Sequence, residues 1–270
     1  MTKLGISFLL AVAAFALSAT AHANPRTLPF SYPTDSLPAD GLEVEQIIDL
    51  TPVKTQDGTG NYVTIPRATL TTEIEYGITS RLEFGFYIQL ADEPAQGNDA
   101  PLRFDGLKQR LRYRLADPGQ WPVDVAVYGE VAELRKELEL EAKIILQRRV
   151  GPVRVLANLW AEREFYYEGR REWVFHPTLG AAWEFNPHVA LGLETWLVKE
   201  KADHETLPPG ADTYNTGPLL FAGPTIFAQG NGRGWLAVGV YRRLTDYSRP
   251  LTVGDFYGKY WIRAMVGIDL

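Results

Sequence analysis

The sequence predicts an all-β protein: a single transmembrane, antiparallel, up-and-down β-barrel of about 12 strands that follows a cleaved signal peptide. Three observations predict this class. Segments with a period of two recur along the chain, the first residues have the composition of a secretory signal, and the links between strands alternate in length. Apolar and polar residues that alternate over roughly 10 residues per strand are typical of barrels with lipid outside and a polar lumen.

The N-terminal 40 residues divide into two parts. Residues 1–23 predict a signal peptide, with a positive Lys3, an apolar run over 4–17 and an A-x-A cleavage site that ends at Ala23. The apolar run is shorter than the roughly 20 residues that a membrane-spanning helix needs. Residues 24–40 contain four prolines and no period, which predicts a periplasmic lead-in and no strand. The barrel is expected over residues 41–270.

The stretch 107–115, LKQRLRYRL, shows the strand pattern most clearly. Its odd positions are mostly apolar, and its even positions are Lys108, Arg110, Arg112 and Arg114. A period of two places these four cations on one face of a β-strand. Strands with the same alternation are predicted at 42–50, 68–78, 81–90, 107–115, 121–131, 137–148, 153–162, 173–185, 189–198, 218–229, 234–244 and 259–270. The strand at 218–229 is apolar on both faces, and Pro224 predicts a bulge in it.

The predicted links support a barrel. Links at 79–80, 117–119, 150–152, 186–188 and 230–232 are short and rich in turn-forming residues. The alternate links at 51–66, 91–101, 165–171, 199–217 and 245–258 are longer, and only 132–136 is short. Outer-membrane barrels have short periplasmic turns and longer outer loops. The alternation therefore predicts an even number of strands and both termini in the periplasm.

Composition excludes several other classes. The chain has no cysteine and a mean hydropathy of -0.15, and no apolar run after the signal is long enough for a transmembrane helix. The net charge of -6 argues against nucleic-acid binding. A nucleophilic site needs a serine with a base in reach. Of the serines after the signal, Ser31 and Ser36 lie in the lead-in, Ser80 lies in a predicted periplasmic turn, and Ser248 lies in an outer loop with no histidine assigned beside it. We expect no enzymatic activity, no catalytic residue, no bound cofactor and no metal site.

The charged residues of the inward faces are the candidate site. They are expected to line the lumen, because Arg or Lys facing lipid at the midplane costs about 2–4 kcal/mol. The candidates are Glu73, Glu75, Glu83, Lys108, Arg110, Arg112, Arg114, Asp124, Glu130, Glu139, Glu141, Lys143, Arg154, Arg243 and Arg263. Two interpretations stay open: the charges form a closed network of ion pairs that stabilises the barrel, or they line a constricted pore for small polar solutes.

Aromatic residues near the strand ends predict interfacial girdles, and His204 lies in an acidic outer segment that is expected to be solvated. The predicted girdle residues are Trp121, Tyr166, Tyr167, Trp173, Trp183, Trp235, Tyr257 and Tyr260.

The lead PFSYPTDSLPADG, the acidic start LEVEQ, the hairpin IEYGITSRLEFGFY and the terminal strand ending at Leu270 resemble bacterial outer-membrane β-barrel proteins. More narrowly, they resemble a group of barrels of which some are associated with phenol-degradation pathways. Members of the group usually end in Phe or Trp, whereas this chain ends in Leu. The resemblance implies no catalytic residues. The signal peptide and the strand pattern predict an outer-membrane location, where we expect contacts with membrane lipid, lipopolysaccharide and the barrel-assembly machinery.

The functional hypothesis is a monomeric barrel that acts as a narrow channel or uptake pore for small solutes. The alternative is a barrel that transports nothing, has a lumen closed by salt bridges and acts through its outer loops. A closed ion-pair network in the lumen favours the alternative, and an open path past Arg110 and Arg112 favours the channel.

Overall fold

The strands form one closed antiparallel barrel. The computed structural model describes residues 25–92, 100–203, 206, 217–230, 233–245 and 257–270. The strands are β1 (Leu42–Gln56), β2 (Tyr62–Gly77), β3 (Leu82–Ala91), β4 (Arg103–Arg114), β5 (Asp124–Leu134), β6 (Glu137–Val150), β7 (Val153–Tyr166), β8 (Arg171–Phe175), β9 (Thr178–Asn186), β10 (Val189–Ala202), β11 (Leu219–Gln229), β12 (Gly234–Arg243) and β13 (Tyr260–Asp269). The predicted signal peptide, His204, Ser248 and parts of the predicted links at 91–101, 199–217, 230–232 and 245–258 lie outside the described residues.

The barrel has 12 strand positions. Strands that are consecutive in sequence pair with each other, except β8 with β9, and β1 also pairs with β13, where Glu43 lies opposite Asp269. β8 and β9 both pair with β7 and β10, so they are two parts of one barrel strand that is interrupted at His176 and Pro177. The predicted 12-stranded all-β barrel is therefore confirmed.

Side-chain exposure alternates along the strands as the period of two requires. In β6 the large apolar residues Leu140 and Ile144 are exposed, whereas Glu141 and Lys143 between them are buried. The same alternation puts an apolar surface on the outside of the barrel and the charged residues inside. Among the described residues, no helix is long and apolar enough to span a membrane.

The first hairpin is longer than predicted. β1 and β2 stay paired from Leu42 opposite Tyr76 to Gln56 opposite Tyr62, so the predicted long link at 51–66 is wrong. Pro52 and Pro66 hid the alternation from the sequence analysis, and they lie opposite each other in the ladder. The true link is the tight turn 57–61, in which Asp57 accepts hydrogen bonds from the backbone N–H groups of Thr59 and Asn61.

The predicted bulge at Pro224 is also wrong. The pairing of β10 with β11 runs through Leu193 opposite Pro224 without a shift. Between β11 and β12 the pairs skip Gly223 and Pro224 and then resume in the same register. Register shifts occur instead between Gln89 and Leu90 and between Val189 and Ala190.

The two ends of the barrel are named here by the chain termini. The terminal mouth is the end where β1 begins and β13 ends, and its links are 78–81, 115–123, 151–152, 187–188 and 230–233. The opposite mouth has the links 57–61, 92–102, 135–136, 167–170, 203–218 and 244–259. Three links of the opposite mouth are long and three are short, so the predicted sorting of links by length holds only in part.

Candidate functional site

The lumen holds the Pro-rich N-terminal segment, residues 25–40, which we call the plug segment. It forms no strand, in agreement with its prolines. Its residues from Arg26 to Thr34 are buried, although they are not part of the barrel wall. The sequence analysis predicted a lead-in ahead of the barrel and missed its place inside the lumen.

The plug segment follows a U-shaped path. It begins at the terminal mouth, where the N–H of Asp40 donates to the carbonyl oxygen of Gly77 at 2.8 Å. It reaches furthest at Phe30, whose ring centroid lies 6.0 Å from that of Trp261, near the opposite mouth. It then returns, and Arg26 contacts Glu75 close to the terminal end of β2.

Alternate side chains of the plug segment fill three apolar sites in the wall. Leu28, Phe30 and Tyr32 each belong to a separate cluster of buried residues. Phe30 stacks on Trp196 with ring centroids 4.6 Å apart. Gly180 makes room for Leu28, because a Cβ atom at this glycine would lie 2.5 Å from a methyl group of Leu28. These contacts fix the depth of the segment in the lumen.

Wall side chains accept the backbone hydrogen bonds of the plug segment. Glu194 accepts from the N–H groups of Phe30 and Ser31, at 3.1 and 2.7 Å. Three other wall side chains accept in the same way. Asn158 accepts from the N–H of Tyr32 at 2.7 Å, Gln147 from the N–H of Thr34 at 3.2 Å, and Glu83 from the N–H of Leu37 at 2.8 Å. Buried N–H groups need such partners, so the polar wall satisfies a segment that has no secondary structure.

Arg26 joins the plug segment to the acidic face of β1 and β2. Its guanidinium group lies 2.7 Å from Glu73 and 3.3 Å from both Glu45 and Glu75. It also lies 3.8 Å from the ring centroid of Tyr32, while Lys143 lies 4.4 Å from that ring. The first cation–π contact lies within the plug segment, and the second connects the segment to β6.

Five predicted site residues form a single buried network with Arg26. Arg110 donates to Glu73 and Glu83, both at 2.7 Å, and to Glu75. Arg112 donates to both oxygens of Glu83, at 2.7 and 2.8 Å. Arg110 and Arg112 are only 1% exposed. The path past these two arginines is therefore closed.

Other predicted site residues form separate ion pairs inside the barrel. Lys108 lies between Glu130 and Glu139, at 3.5 and 3.2 Å. The remaining pairs are Lys143 with Glu141, Arg154 with Asp35 of the plug segment and with Glu184, and Arg263 with Asp49.

Three predicted residues lie away from these groups. Arg114 donates to the carbonyl oxygen of Ser80 at the terminal mouth, and Asp124 accepts from the N–H of Gly119 in the turn at the same mouth. Arg243 contacts Thr245 near the opposite mouth.

Three predicted girdle residues lie on the inner side of the barrel. Trp235 is buried there, and its Nε1 atom donates to Glu43. Tyr257 packs against the buried cluster that contains Phe30, and Tyr166 donates to the buried Glu164 at 2.9 Å.

The wall between β5 and β8 carries rows of carboxylates. Glu141 lies directly opposite Glu130 on one side and Glu162 on the other. Glu164 lies opposite Glu139 and Glu172 in the same manner. Residues opposite each other in antiparallel strands have Cβ atoms about 4.5–5.5 Å apart, and like charges there destabilise the sheet. This part of the lumen is therefore strongly acidic.

The sequence analysis missed the residues that the plug segment contributes, above all Arg26 and Tyr32. A charged residue in a proline-rich lead has no periodic pattern to mark it. The alternating apolar residues Leu28, Phe30 and Tyr32 are a weak signal that this segment is buried, because a solvent-exposed segment would not require large apolar side chains.

The fold defines the class of protein, which is the outer-membrane type of β-barrel. No protein family model and no curated protein matches the chain. Among solved structures, an outer membrane channel from Pseudomonas putida F1 is similar, with a TM-score of 0.66 and 10% sequence identity over 88% of this chain and 98% of that chain. LpxR from Salmonella typhimurium has a TM-score of 0.45 and 8% identity over 84% of this chain and 99% of that chain. The similarity to the Pseudomonas putida channel supports the fold.

Proposed function

We propose that this protein is an outer-membrane channel for small solutes, closed at rest by its own plug segment and open when that segment leaves the lumen. The observation that carries this proposal is how the segment is held. Between residues 26 and 37, the backbone hydrogen bonds of the segment in the described structure go to side chains of the wall, and none goes to the backbone of a wall strand.

This mode of attachment fits a movable closure. The barrel ladder closes through β1 and β13 without any contribution from the plug segment. Withdrawal of the segment leaves every strand pair intact, and water entering the lumen replaces the lost hydrogen bonds at the wall. The net free energy of each such bond is modest, about 1 kcal/mol, because water competes for the same groups.

A second candidate function is a barrel that transports nothing and acts through its outer loops. The closed network around Arg110 and Arg112 favours it, since neither side chain is accessible. The two candidates differ in one respect: a channel must conduct when the plug segment moves.

The rows of carboxylates point to the class of solute. Glu162 and Glu164 add two carboxyl groups to a part of the lumen where Lys108 already has two carboxylate partners. Rings of acidic side chains select cations in other channels. We therefore expect the open lumen to pass small cations in preference to anions.

The proposed setting is the bacterial outer membrane, with the terminal mouth in the periplasm. The exposed apolar side chains of the strands contact lipid, and the opposite mouth meets lipopolysaccharide. The barrel acts as a monomer and is inserted by the barrel-assembly machinery.

A cysteine pair tests the proposed movement. The hydroxyl oxygens of Ser31 and Thr178 lie 2.8 Å apart, one on the plug segment and one on β9. The chain contains no cysteine, so the double variant Ser31→Cys, Thr178→Cys has a single pair of thiols. The oxidised variant is expected to stay closed in planar-bilayer recordings, and reduction is expected to restore the openings of the wild-type protein.

The single variant Ser31→Cys is the control, because it has no partner thiol and its conductance should not depend on the redox state. A variant lacking residues 25–37 provides the open reference. If this deletion variant folds and inserts but carries no current, the channel proposal is wrong and the second candidate function is favoured.

A further inference from the structure

Three carboxylates lie close together at the terminal end of the lumen. Glu43 and Glu45 come from β1 and Glu75 comes from β2, with Glu43 directly opposite Glu75 in the ladder. One oxygen from each lies within 4.8 Å of the other two. All three side chains are at most 1% exposed.

The charges around this group do not balance. Five buried carboxylates face three guanidinium groups among the described residues that make up the network. They are Glu43, Glu45, Glu73, Glu75 and Glu83, against Arg26, Arg110 and Arg112. With all groups ionised, the network lacks two positive charges. An uncompensated buried charge is costly, and a bound cation or the protonation of a carboxyl group removes that cost.

Unpartnered oxygen atoms in the group give independent evidence for a ligand. Both carboxylate oxygens of Glu45 lack a hydrogen bond, and only one of them lies in ion-pair range of Arg26, at 3.3 Å. One oxygen of Glu75 also lacks a hydrogen bond. Buried polar atoms nearly always have partners, and a bound ion is one recognised reason for an apparent exception.

We propose that Glu43, Glu45 and Glu75 bind one calcium ion. A hard divalent cation takes oxygen ligands, and its charge of two supplies what the network lacks. Calcium–oxygen distances are about 2.3–2.6 Å, which places two ligands of one ion up to about 5 Å apart. Magnesium needs shorter distances of about 2.0–2.1 Å and retains several waters, so it fits a dry site less well.

The sequence predicts no metal site. Here the ligands are carboxylates on the inward faces of two neighbouring strands, at positions that cross-strand pairing brings together. Arg26 of the plug segment contacts Glu45 and Glu75, so the proposed ion and Arg26 share these two carboxylates.

Terbium luminescence reports on this site because a tryptophan adjoins it. Trp235 donates from its Nε1 atom to Glu43. Terbium replaces calcium in oxygen sites and emits when a nearby indole ring is excited. The mature chain is refolded in detergent without lipopolysaccharide, with either a chelator or calcium, since a buried site exchanges its ion slowly. We expect emission sensitised through Trp235, displacement of terbium by calcium, and a higher melting temperature with calcium than with chelator.

Two variants and one control decide the outcome. Glu45→Gln should lose both the emission and the effect of calcium on melting, whereas Glu162→Gln, which changes a luminal carboxylate on β7, should keep both. Trp235→Phe should lose the emission but still melt at a higher temperature with calcium than with chelator. This variant replaces Glu45→Gln as the test if Glu45→Gln does not fold. Equal melting temperatures with calcium and chelator in the wild-type protein, or emission that persists in Glu45→Gln, would overturn the proposal.

Discussion

Arg110 lies among three carboxylates and the hydroxyl group of Tyr87, to which its Nε atom donates at 2.8 Å. A guanidinium group has five donors in a fixed plane, and here it satisfies acceptors from β2 and β3 at once. Breaking a buried ion pair by removing one partner costs more than the pair contributes, because the remaining charge stays buried.

We therefore expect Arg110→Ala to destabilise the folded barrel by about 3–5 kcal/mol. The measurement is the free energy of unfolding in urea, in detergent or lipid. The loss of Arg110 leaves Glu73, Glu75 and Glu83 with fewer partners, and Glu73 and Glu75 then depend on Arg26.

Arg149→Ala is the matched control for this substitution. Arg149 forms an ion pair with Glu184 at 3.2 Å, but its side chain is 53% exposed. Exposed ion pairs contribute about 0–1 kcal/mol, so this variant should unfold almost like the wild-type protein. Equal effects of the two substitutions would contradict the assignment of Arg110 to a buried network.

Asp117, in the turn between β4 and β5, is the residue whose titration is easiest to follow. Arg81 donates to both of its oxygens, at 3.1 and 2.7 Å. These hydrogen bonds hold the pKa of Asp117 below its ordinary value. A carboxyl group with a lowered pKa in the folded state stabilises that state above the ordinary pKa, and this contribution is lost as the pH falls through the lowered value.

Arg81→Gln should raise the pKa of Asp117 towards its ordinary value, as measured by NMR titration of the carboxyl carbon. Asp57 provides an internal control, since the hydrogen bond from the Thr59 hydroxyl group lowers its pKa independently of Arg81. A pKa of Asp117 that stays low in the variant would show that Arg81 is not the cause.

At the scale of the element, β6 shows most simply how one strand serves two environments. Ile144 lies on its outer face near the middle of the strand, and Val150 lies at its terminal end. Arginine on the lipid face costs about 2–4 kcal/mol at the membrane midplane and about 0–1 kcal/mol near the interface.

Ile144→Arg should accordingly destabilise the barrel in lipid vesicles by about 2–4 kcal/mol, and Val150→Arg by about 0–1 kcal/mol. Equilibrium unfolding of both variants in the same vesicles measures the difference. If the two substitutions have the same effect, the outer face of β6 does not cross the membrane as described.

The carboxylate rows on β5 to β8 lead to a prediction about ion selectivity. In the variant without residues 25–37, Glu162→Gln combined with Glu164→Gln should reduce the preference for cations, because both carboxylates face the lumen. The reversal potential in a salt gradient measures this preference. Glu168→Gln is the control, since Glu168 is 69% exposed in a loop. An unchanged reversal potential in the double variant would exclude these rows as the source of selectivity.

At the scale of the whole molecule, the barrel and its plug segment are separable. Deletion of residues 25–37 removes the partners of Glu194, Asn158, Gln147 and Glu83 but no strand pair. The loss of five backbone hydrogen bonds, each worth about 1 kcal/mol, together with the Arg26 ion pairs, should lower the melting temperature by at least about 10 °C. Before heating, the variant should still migrate on a gel at a different position from the heat-unfolded protein, as a folded barrel does. A variant that never folds would show that the barrel and the plug segment are not separable.

The sequence predicts the wall of this barrel well and its contents poorly. Alternation in β3, β6 and β13 is regular because one face must be apolar to meet lipid. It weakens where another constraint competes, as at Pro52 and Pro66 in the first hairpin or at Pro177 between β8 and β9. Trp235 was misplaced because an indole ring at a strand end fits an interface as well as a lumen.

The candidate site was predictable as a set of inward charges but not as a network. Cross-strand pairing alone brings Arg110 beside Glu130, yet the long side chain reaches instead to Glu73, two strands away from β4. That choice depends on Tyr87 and on the plug segment, whose position no local pattern encodes. Charges on a strand face therefore predict burial, whereas their partners require the full three-dimensional arrangement.

The U-shaped path of the plug segment has a mechanical consequence. Both of its arms point to the terminal mouth, with Leu37 on one and Arg26 on the other. A pull applied from that mouth breaks the contacts between the plug segment and the wall one after another, so only a small force is needed at each step. Pressure on Phe30 from the opposite mouth compresses the bend against several contacts at once. We therefore expect the plug segment to resist pressure applied at the opposite mouth and to leave the lumen under a weaker pull applied at the terminal mouth.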